Sequence, residues 1–134
     1  MSSNETDLGK KIKRLQKVLD ILRRALGYQT LADQLYWESV ARRIAAKYDI
    51  DPDDFVAVLK CESGLNPKAI NKNANGTTDF GICQFNDYWY KDVISPYDAL
   101  NNPELALDTM AGAWKAGRAK DWICYRNYSY QSYL

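Results

Sequence analysis

Asp51-Pro52-Asp53-Asp54-Phe55-Val56-Ala57-Val58-Leu59-Lys60-Cys61-Glu62-Ser63-Gly64 is the stretch that decides the fold. Asp51 is a good helix N-cap, Pro52 suits the first helical position, and the following acids complement the helix dipole. The helix is predicted to reach Glu62 or Ser63 and to stop at Gly64, with Pro67 just beyond. Its apolar face is Phe55, Val58 and Leu59, and the next members of that stripe are Glu62 and Ser63. A glutamate thus leaves the apolar side of a helix near its C-terminal end. Burial and the helix dipole there both raise a carboxyl pKa. A carboxyl kept protonated near neutral pH is what a general acid needs. On periodicity alone, a glutamate that snorkels outward or pairs with a nearby Lys or Arg is the favoured reading.

Outside this stretch, composition narrows the chemistry. The 134 residues are 46% hydrophobic and 26% charged, enough to bury a core. A net charge of +1 gives no whole-chain bias toward nucleic acid. Histidine is absent, which removes Ser-His-Asp and Cys-His sites and every metal site that needs imidazole. The three cysteines form no CxxC; they allow one disulfide and one free thiol. Chemistry must rest on carboxylates, tyrosines or a thiol. Ten Tyr and four Trp suit sugar or base stacking as well as they suit a core. No apolar run approaches the roughly 20 residues of a membrane span. Residues 1–7 read as a polar, disordered start without a signal-peptide core, so we expect export by another route or a fragment of a longer protein.

The chain divides at about residue 29. From Leu8, the apolar residues Leu8, Ile12, Leu15, Leu19, Leu22 and Leu26 recur at spacings of 4, 3, 4, 3 and 4, a heptad seam ended by Gly27. Seven Lys and Arg accompany it against one acid, Asp20, whereas residues 31–134 hold 11 basic and 14 acidic residues. Residues 1–29 are therefore read as a basic amphipathic helix or linker, and 30–134 as the main domain. The helix can pack on its own domain, self-associate through residues 8–26, or bind an anionic polymer surface. A second helix is expected over 30–48, with Leu31, Leu35, Val40, Ile44 and Ala45 on one side. Residues 65–86 read as a small hairpin or loop system, and 87–94 as short helical turns. Another helix begins at Asn102-Pro103-Glu104 with the stripe Leu107, Met110, Ala111 and Trp114. A last short turn falls at 121–126, before a Tyr-rich tail.

Asp79 lies seventeen residues after Glu62, within Asn75-Gly76-Thr77-Thr78-Asp79-Phe80-Gly81-Ile82-Cys83-Gln84-Phe85-Asn86. Here the sequence resembles the lysozyme superfamily. Glu62-Ser63-Gly64-Leu65-Asn66 is similar to its catalytic-glutamate motif, and Pro67 and Ala69 extend it in the manner of soluble lytic transglycosylases. The segment 71–86 resembles the central hairpin of c-type lysozymes, with the same Glu-to-Asp spacing. Trp122-Ile123-Cys124-Tyr125-Arg126 resembles the later segment whose Trp covers the glutamate. The likeness spans about residues 52–126. It implies a mostly α, α+β lysozyme-like fold with a small β-hairpin, here with an extra N-terminal amphipathic helix.

The resemblance implies cleavage of the β-1,4 link between N-acetylmuramic acid and N-acetylglucosamine in peptidoglycan strands, at the cell envelope or outside the cell. It implies no metal and no organic cofactor. Such cleavage needs one protonated carboxyl and one ionised group, chemistry for which lysozyme is itself the reference case. By resemblance Glu62 is the acid and then the base, and Asp79 the nucleophile or charge stabiliser, held ionised by donors from Thr77, Thr78, Asn71 and Asn73. Gln84 and Asn86 would hydrogen-bond sugar and N-acetyl groups, and Asn71, Asn73 and Trp122 would also contribute to the substrate site. Trp89 and Tyr90 would stack on sugar rings, or else pack in the core. If Trp122 covers the glutamate, Cys61 and Cys124 come close enough for a disulfide, with Cys83 a buried free thiol; the alternative is three reduced thiols.

The chain departs from the family in two ways: it lacks the several disulfides of c-type lysozymes, and the basic helix belongs to neither pattern. Lytic transglycosylases, which form 1,6-anhydro ends, usually lack the aspartate, so Asp79 favours hydrolysis while the Asn-Pro-x-Ala element favours transglycosylation. A non-catalytic glycan-binding protein on this fold is the third possibility. Asn71-x-Asn73-x-Asn75-Gly76 imitates the start of a calcium loop, but it lacks aspartates and ends at Ile82 where a Glu is required.

Overall fold

A computed structural model describes residues 6–26 and 29–134. Residues 1–5 of the expected disordered start, and the helix stop expected at Gly27, lie outside the described residues. The chain forms two units, Met1–Asp33 and Gln34–Leu134.

In the first unit, helix α1 (Asp7–Ala25) carries the heptad seam. Thr6 Oγ1 caps it by accepting from the Gly9 N–H at 3.0 Å. The unit ends in a reciprocal cap: Thr30 Oγ1 accepts from Asp33 N at 3.1 Å, and Thr30 N donates to Asp33 Oδ2 at 3.2 Å. That cap opens helix α2 (Leu31–Lys47).

In the second unit, only the later part of the predicted α2 stripe is core. Val40, Ile44 and Ala45 are buried, joined by Ala41, whereas Leu35 stays 58% exposed. Helix α3 (Pro52–Ser63) begins and ends where the sequence places it. The Asp51 side chain accepts from Asp53 N at 2.9 Å, and Gly64 closes the helix at φ +63° with its N–H on Lys60 O. Phe55 through Leu59 are all buried, so α3 is a core helix wrapped on every side. Glu62 stands where that wrapping ends. Ion pairs Glu38–Lys60 (2.9 Å) and Arg42–Asp53 (2.7 Å) tie α2 to α3 at the surface.

The expected hairpin is a three-stranded antiparallel sheet, β1 (Ile70–Lys72), β2 (Thr78–Phe80) and β3 (Phe85–Asn86), in that order. The sequence pattern shows β1 and β2, but β3 is only two residues long and carries no alternation. It returns to β2 because Gly81 (φ +81°) and Gln84 (φ +54°) turn the chain sharply between them. No side chain fits at Gly81: a Cβ there would lie 1.9 Å from the Ala99 carbonyl oxygen. The register places Asp79 opposite Asn71 on one side and Asn86 on the other.

Helix α4 (Pro96–Asn101), capped by Ser95 Oγ accepting from Asp98 N at 3.1 Å, is an addition to the sequence prediction. Helix α5 (Pro103–Lys115) buries Leu107, Met110 and Ala111 as predicted, and Trp114 meets Phe55 edge-on at 5.2 Å. A 3-10 turn (Ala119–Asp121) leads to α6 (Ile123–Arg126), the short turn expected at 121–126. The Tyr-rich end is no loose tail. It forms a second 3-10 turn (Ser129–Tyr133) packed on α3, with Tyr130 buried and stacked on Tyr125 at 5.3 Å. A disulfide joins Cys61 in α3 to Cys124 in α6, Cα to Cα 6.1 Å, and Cys83 is a buried free thiol. The result is a mostly helical α+β fold.

Candidate active site

A cleft of about 450 Å³ opens where four segments converge. Glu62 comes from the end of α3; Asn73, Asp79 and Asn86 come from the sheet; Trp89 comes from the turn after it. Arg118, Asp121, Trp122 and Arg126 come from the segment around α6.

Glu62 neither snorkels nor pairs with a lysine. Its Oε2 accepts the Cys124 backbone N–H at 3.1 Å. Burial pushes its pKa above the ordinary 4.5, and the nearby Asp79 charge adds to the rise. The Cys124 hydrogen bond and the Arg126 charge oppose these effects without cancelling them. The sign has a consequence for stability. Below the ordinary glutamate value both folded and unfolded chains hold this proton. As pH rises past it the unfolded chain releases the proton first, so Glu62 lowers stability progressively up to its folded pKa and by a constant amount above that. Glu62→Gln should therefore gain stability relative to the parent as pH climbs through that window, read as the difference in urea midpoint against pH. A difference that does not change with pH would show that the carboxyl is not perturbed.

Asp79 is held by Asn86, whose Nδ2 donates to Asp79 Oδ1 at 2.9 Å and also to Thr77 Oγ1 at 2.9 Å. This corrects the expected donor set. Asn73 Nδ2 donates to Thr77 Oγ1 and closes the β1–β2 turn, while Asn71 turns toward Gln84. Asn86 lies opposite Asp79 in the ladder, which puts its amide in reach. Its Oδ1 accepts from the backbone N–H groups of Tyr88 (3.0 Å) and Trp89 (3.1 Å), so one side chain sets both the carboxylate and the aromatic turn.

Gln84 and Asn71 behave differently from the expected sugar contacts. Gln84 is buried; its Nε2 donates to Ala69 O at 3.2 Å and Gly81 O at 2.9 Å, and its Oε1 accepts from Asn71 Nδ2 at 2.7 Å. These amides are engaged in holding the turn that Gly81 opens. Trp89 is 71% exposed on the cleft. Tyr90, by contrast, is core: its ring packs on Phe85 (5.1 Å) and Trp122 (5.5 Å), and its hydroxyl donates to Asp121 at 2.6 Å. Trp122 is buried beneath the cleft, with Nε1 donating to Cys83 O at 2.7 Å.

Some contributors escape sequence reasoning. The Cys124 N–H is a backbone group and leaves no residue-type signal. Ser63 Oγ donates to Ile82 O at 2.6 Å and so fastens the end of α3 to the sheet turn. Arg118 reaches Asp121 at 3.0 Å, a pair that its i,i+3 spacing does advertise. The Asn71, Asn73 and Asn75 series makes a turn: Asn75 Oδ1 accepts from Thr77 N and Oγ1. Among the described residues no three His, Cys, Asp or Glu side chains are grouped as metal ligands.

A small antiparallel sheet against a helical core, with a half-buried glutamate and an aspartate lining one cleft, defines a lysozyme-type domain. Residues 39–116 match the model of the transglycosylase SLT domain, and the chain belongs to that family within the lysozyme superfamily. It is 36% identical over 89 residues to Lysozyme C of Takifugu rubripes, covering 63% of this chain and 62% of that one. It is 44% identical over 39 residues to Lysozyme C-1 of Anas platyrhynchos, covering 29% of this chain and 26% of that one. Protein IpgF of Shigella flexneri is 38% identical over 55 residues, covering 41% of this chain and 34% of that one. The chain thus spans less than two thirds of each of these relatives.

Proposed function

We propose that the chain hydrolyses the β-1,4 bond between N-acetylmuramic acid and N-acetylglucosamine in peptidoglycan, acting at the cell envelope or outside the cell. The observation that carries this is the pair of unlike carboxyls on one cleft: Glu62, desolvated and raised in pKa, and Asp79, half-buried on the cleft wall and held by Asn86. Glu62 gives its proton to the departing glycosidic oxygen, while the Asp79 carboxylate stabilises or attacks the oxocarbenium-like carbon. Glu62, now ionised, then takes a proton from the water that completes hydrolysis. Trp89 is the exposed ring on which a sugar stacks. Asn73 and Asn86 edge the same cleft, whereas Asn71, Gln84, Tyr90 and Trp122 act as braces of its wall and floor. Residues 30–134 are the catalytic unit in this proposal, and residues 1–29 a basic segment, helix or linker, that takes no part in the chemistry.

The family match favours a second reading, lytic transglycosylation. Mass spectrometry of peptidoglycan fragments after digestion separates them: reducing muramic ends mean hydrolysis, 1,6-anhydro ends mean transglycosylation, and no fragments mean a glycan binder. Asp79→Asn supplies the matching residue test. For a hydrolase we expect a rate loss of about 100-fold or more, the loss of a group that stabilises charge in the transition state. Turnover near the parent rate, with anhydro products, would decide for the transglycosylase.

A further inference from the structure

Helix α1 presents a surface that the cleavage chemistry does not use. Its seam residues Leu8, Ile12, Leu15, Leu19, Leu22 and Leu26 are 47% to 71% exposed. At about 100° per residue they and Val18 cover an arc of about 120°, wider than a strict two-position coiled-coil seam. Between Asp7 and Ala25 the helix carries four Lys and three Arg against two Asp, a net charge of +5. One of those acids, Asp20, faces Arg23 at 3.9 Å.

The charge pattern selects the occupant of this face. Beside the seam, the positions that flank a coiled-coil contact hold Gly9, Lys11, Gln16, Val18, Arg23 and Ala25. None is acidic, so a second copy would bring cations and neutral groups against each other, with no cross-helix ion pairs to set register. An anionic surface meets both features at once. The apolar arc enters the acyl boundary, and Lys11, between Leu22 and Val18 within it, and Arg23, at its edge, extend their stems toward the headgroups with their charges there. Lys10, Lys13 and Lys17 lie on the opposite face, within the attractive field of the surface. Among the described residues no helix is long and apolar enough to cross a membrane, so α1 would lie along the surface. We infer that α1 is an interfacial helix that docks the chain on a bilayer of anionic phospholipid.

The test uses the whole 134-residue chain and reads flotation with vesicles of phosphatidylcholine alone or mixed with phosphatidylglycerol, at low and high salt. Binding to the mixed vesicles should be at least about tenfold tighter than to neutral ones and should weaken at least about tenfold at high salt. The double variant L15E/L19E should lose vesicle binding by at least about tenfold, and its cleavage of soluble glycan fragments and its monomeric sedimentation should match the parent. Lys13→Gln with Lys17→Gln, which leaves the seam intact, should reduce the preference for anionic vesicles while keeping helicity by circular dichroism. Any of these results overturns the inference: equal binding to both vesicle types, no binding to either, or a parent dimer that L15E/L19E converts to monomer. A loss of thermal stability in L15E/L19E equal to that of a core substitution also overturns it, because it would show that α1 packs on its own chain.

Discussion

Glu62→Gln should reduce glycan cleavage by at least about 100-fold, the usual contribution of a general acid, while the chain stays folded. Glutamine keeps the size of the side chain and its oxygen, so the Cys124 N–H at 3.1 Å retains an acceptor. It lacks the acidic proton, and no other group on the cleft replaces it. The other carboxyls there are engaged elsewhere: Asp79 accepts from Asn86, and Asp121 accepts from Tyr90 and Arg118. The same variant separates catalysis from folding, because the desolvated carboxyl that serves as an acid also costs stability at neutral pH. Reduced activity with unchanged or increased stability is the combined signature. A variant that keeps more than about a tenth of the parent rate would remove Glu62 from the role of acid.

How far the sequence reached depended on whether a feature is local or formed by distant segments. The α3 boundaries were readable because Asp51, Pro52 and Gly64 each act on their own backbone neighbours. Helical period put Glu62 in line with the apolar stripe, since one face of a helix is fixed by spacing. Period alone left it free to snorkel or pair, and only the motif that follows pointed it to the cleft. The sheet was read only as a hairpin, because β3 is two residues long and is positioned by Gly81 meeting Ala99, a contact eighteen residues apart. Polar side chains proved hardest. Asn71, Asn86 and Gln84 are chemically similar, yet Asn86 holds the aspartate while Asn71 and Gln84 hold each other. Only the strand register distinguishes them. Tyr90 and Trp89 are adjacent aromatic residues with opposite fates, one core and one exposed, because a turn sends successive side chains in different directions. Helix α4 carried a readable signal in Ser95-Pro96, a cap followed by a first-turn proline.

Removing the disulfide should show how closely stability and the site are joined. Cys61 immediately precedes Glu62, and Cys124 supplies the N–H that Glu62 accepts, so the bridge fixes both partners of that hydrogen bond. It also anchors the segment in which Trp122 packs on Phe85 and bonds Cys83 O. The cross-link closes a separation of 63 residues. For a loop of that length the chain-entropy contribution is about 4 kcal/mol, and measured values for native bridges are about 2–4 kcal/mol. Against a typical domain stability of about 5–15 kcal/mol, that is a large fraction. Cys61→Ser with Cys124→Ser should lower the urea-unfolding free energy by about 2–4 kcal/mol. It should also reduce cleavage at temperatures where the variant is still folded, because the Cys124 N–H and the Trp122 segment are no longer tied to α3. Cys83 is buried and its thiol pKa is pushed up, so it should stay unreactive to thiol reagents in both folded proteins and react only on unfolding. A double variant within about 0.5 kcal/mol of the parent, the range of ordinary surface substitutions, and with full activity, would show that packing alone positions the Trp122 segment against Glu62.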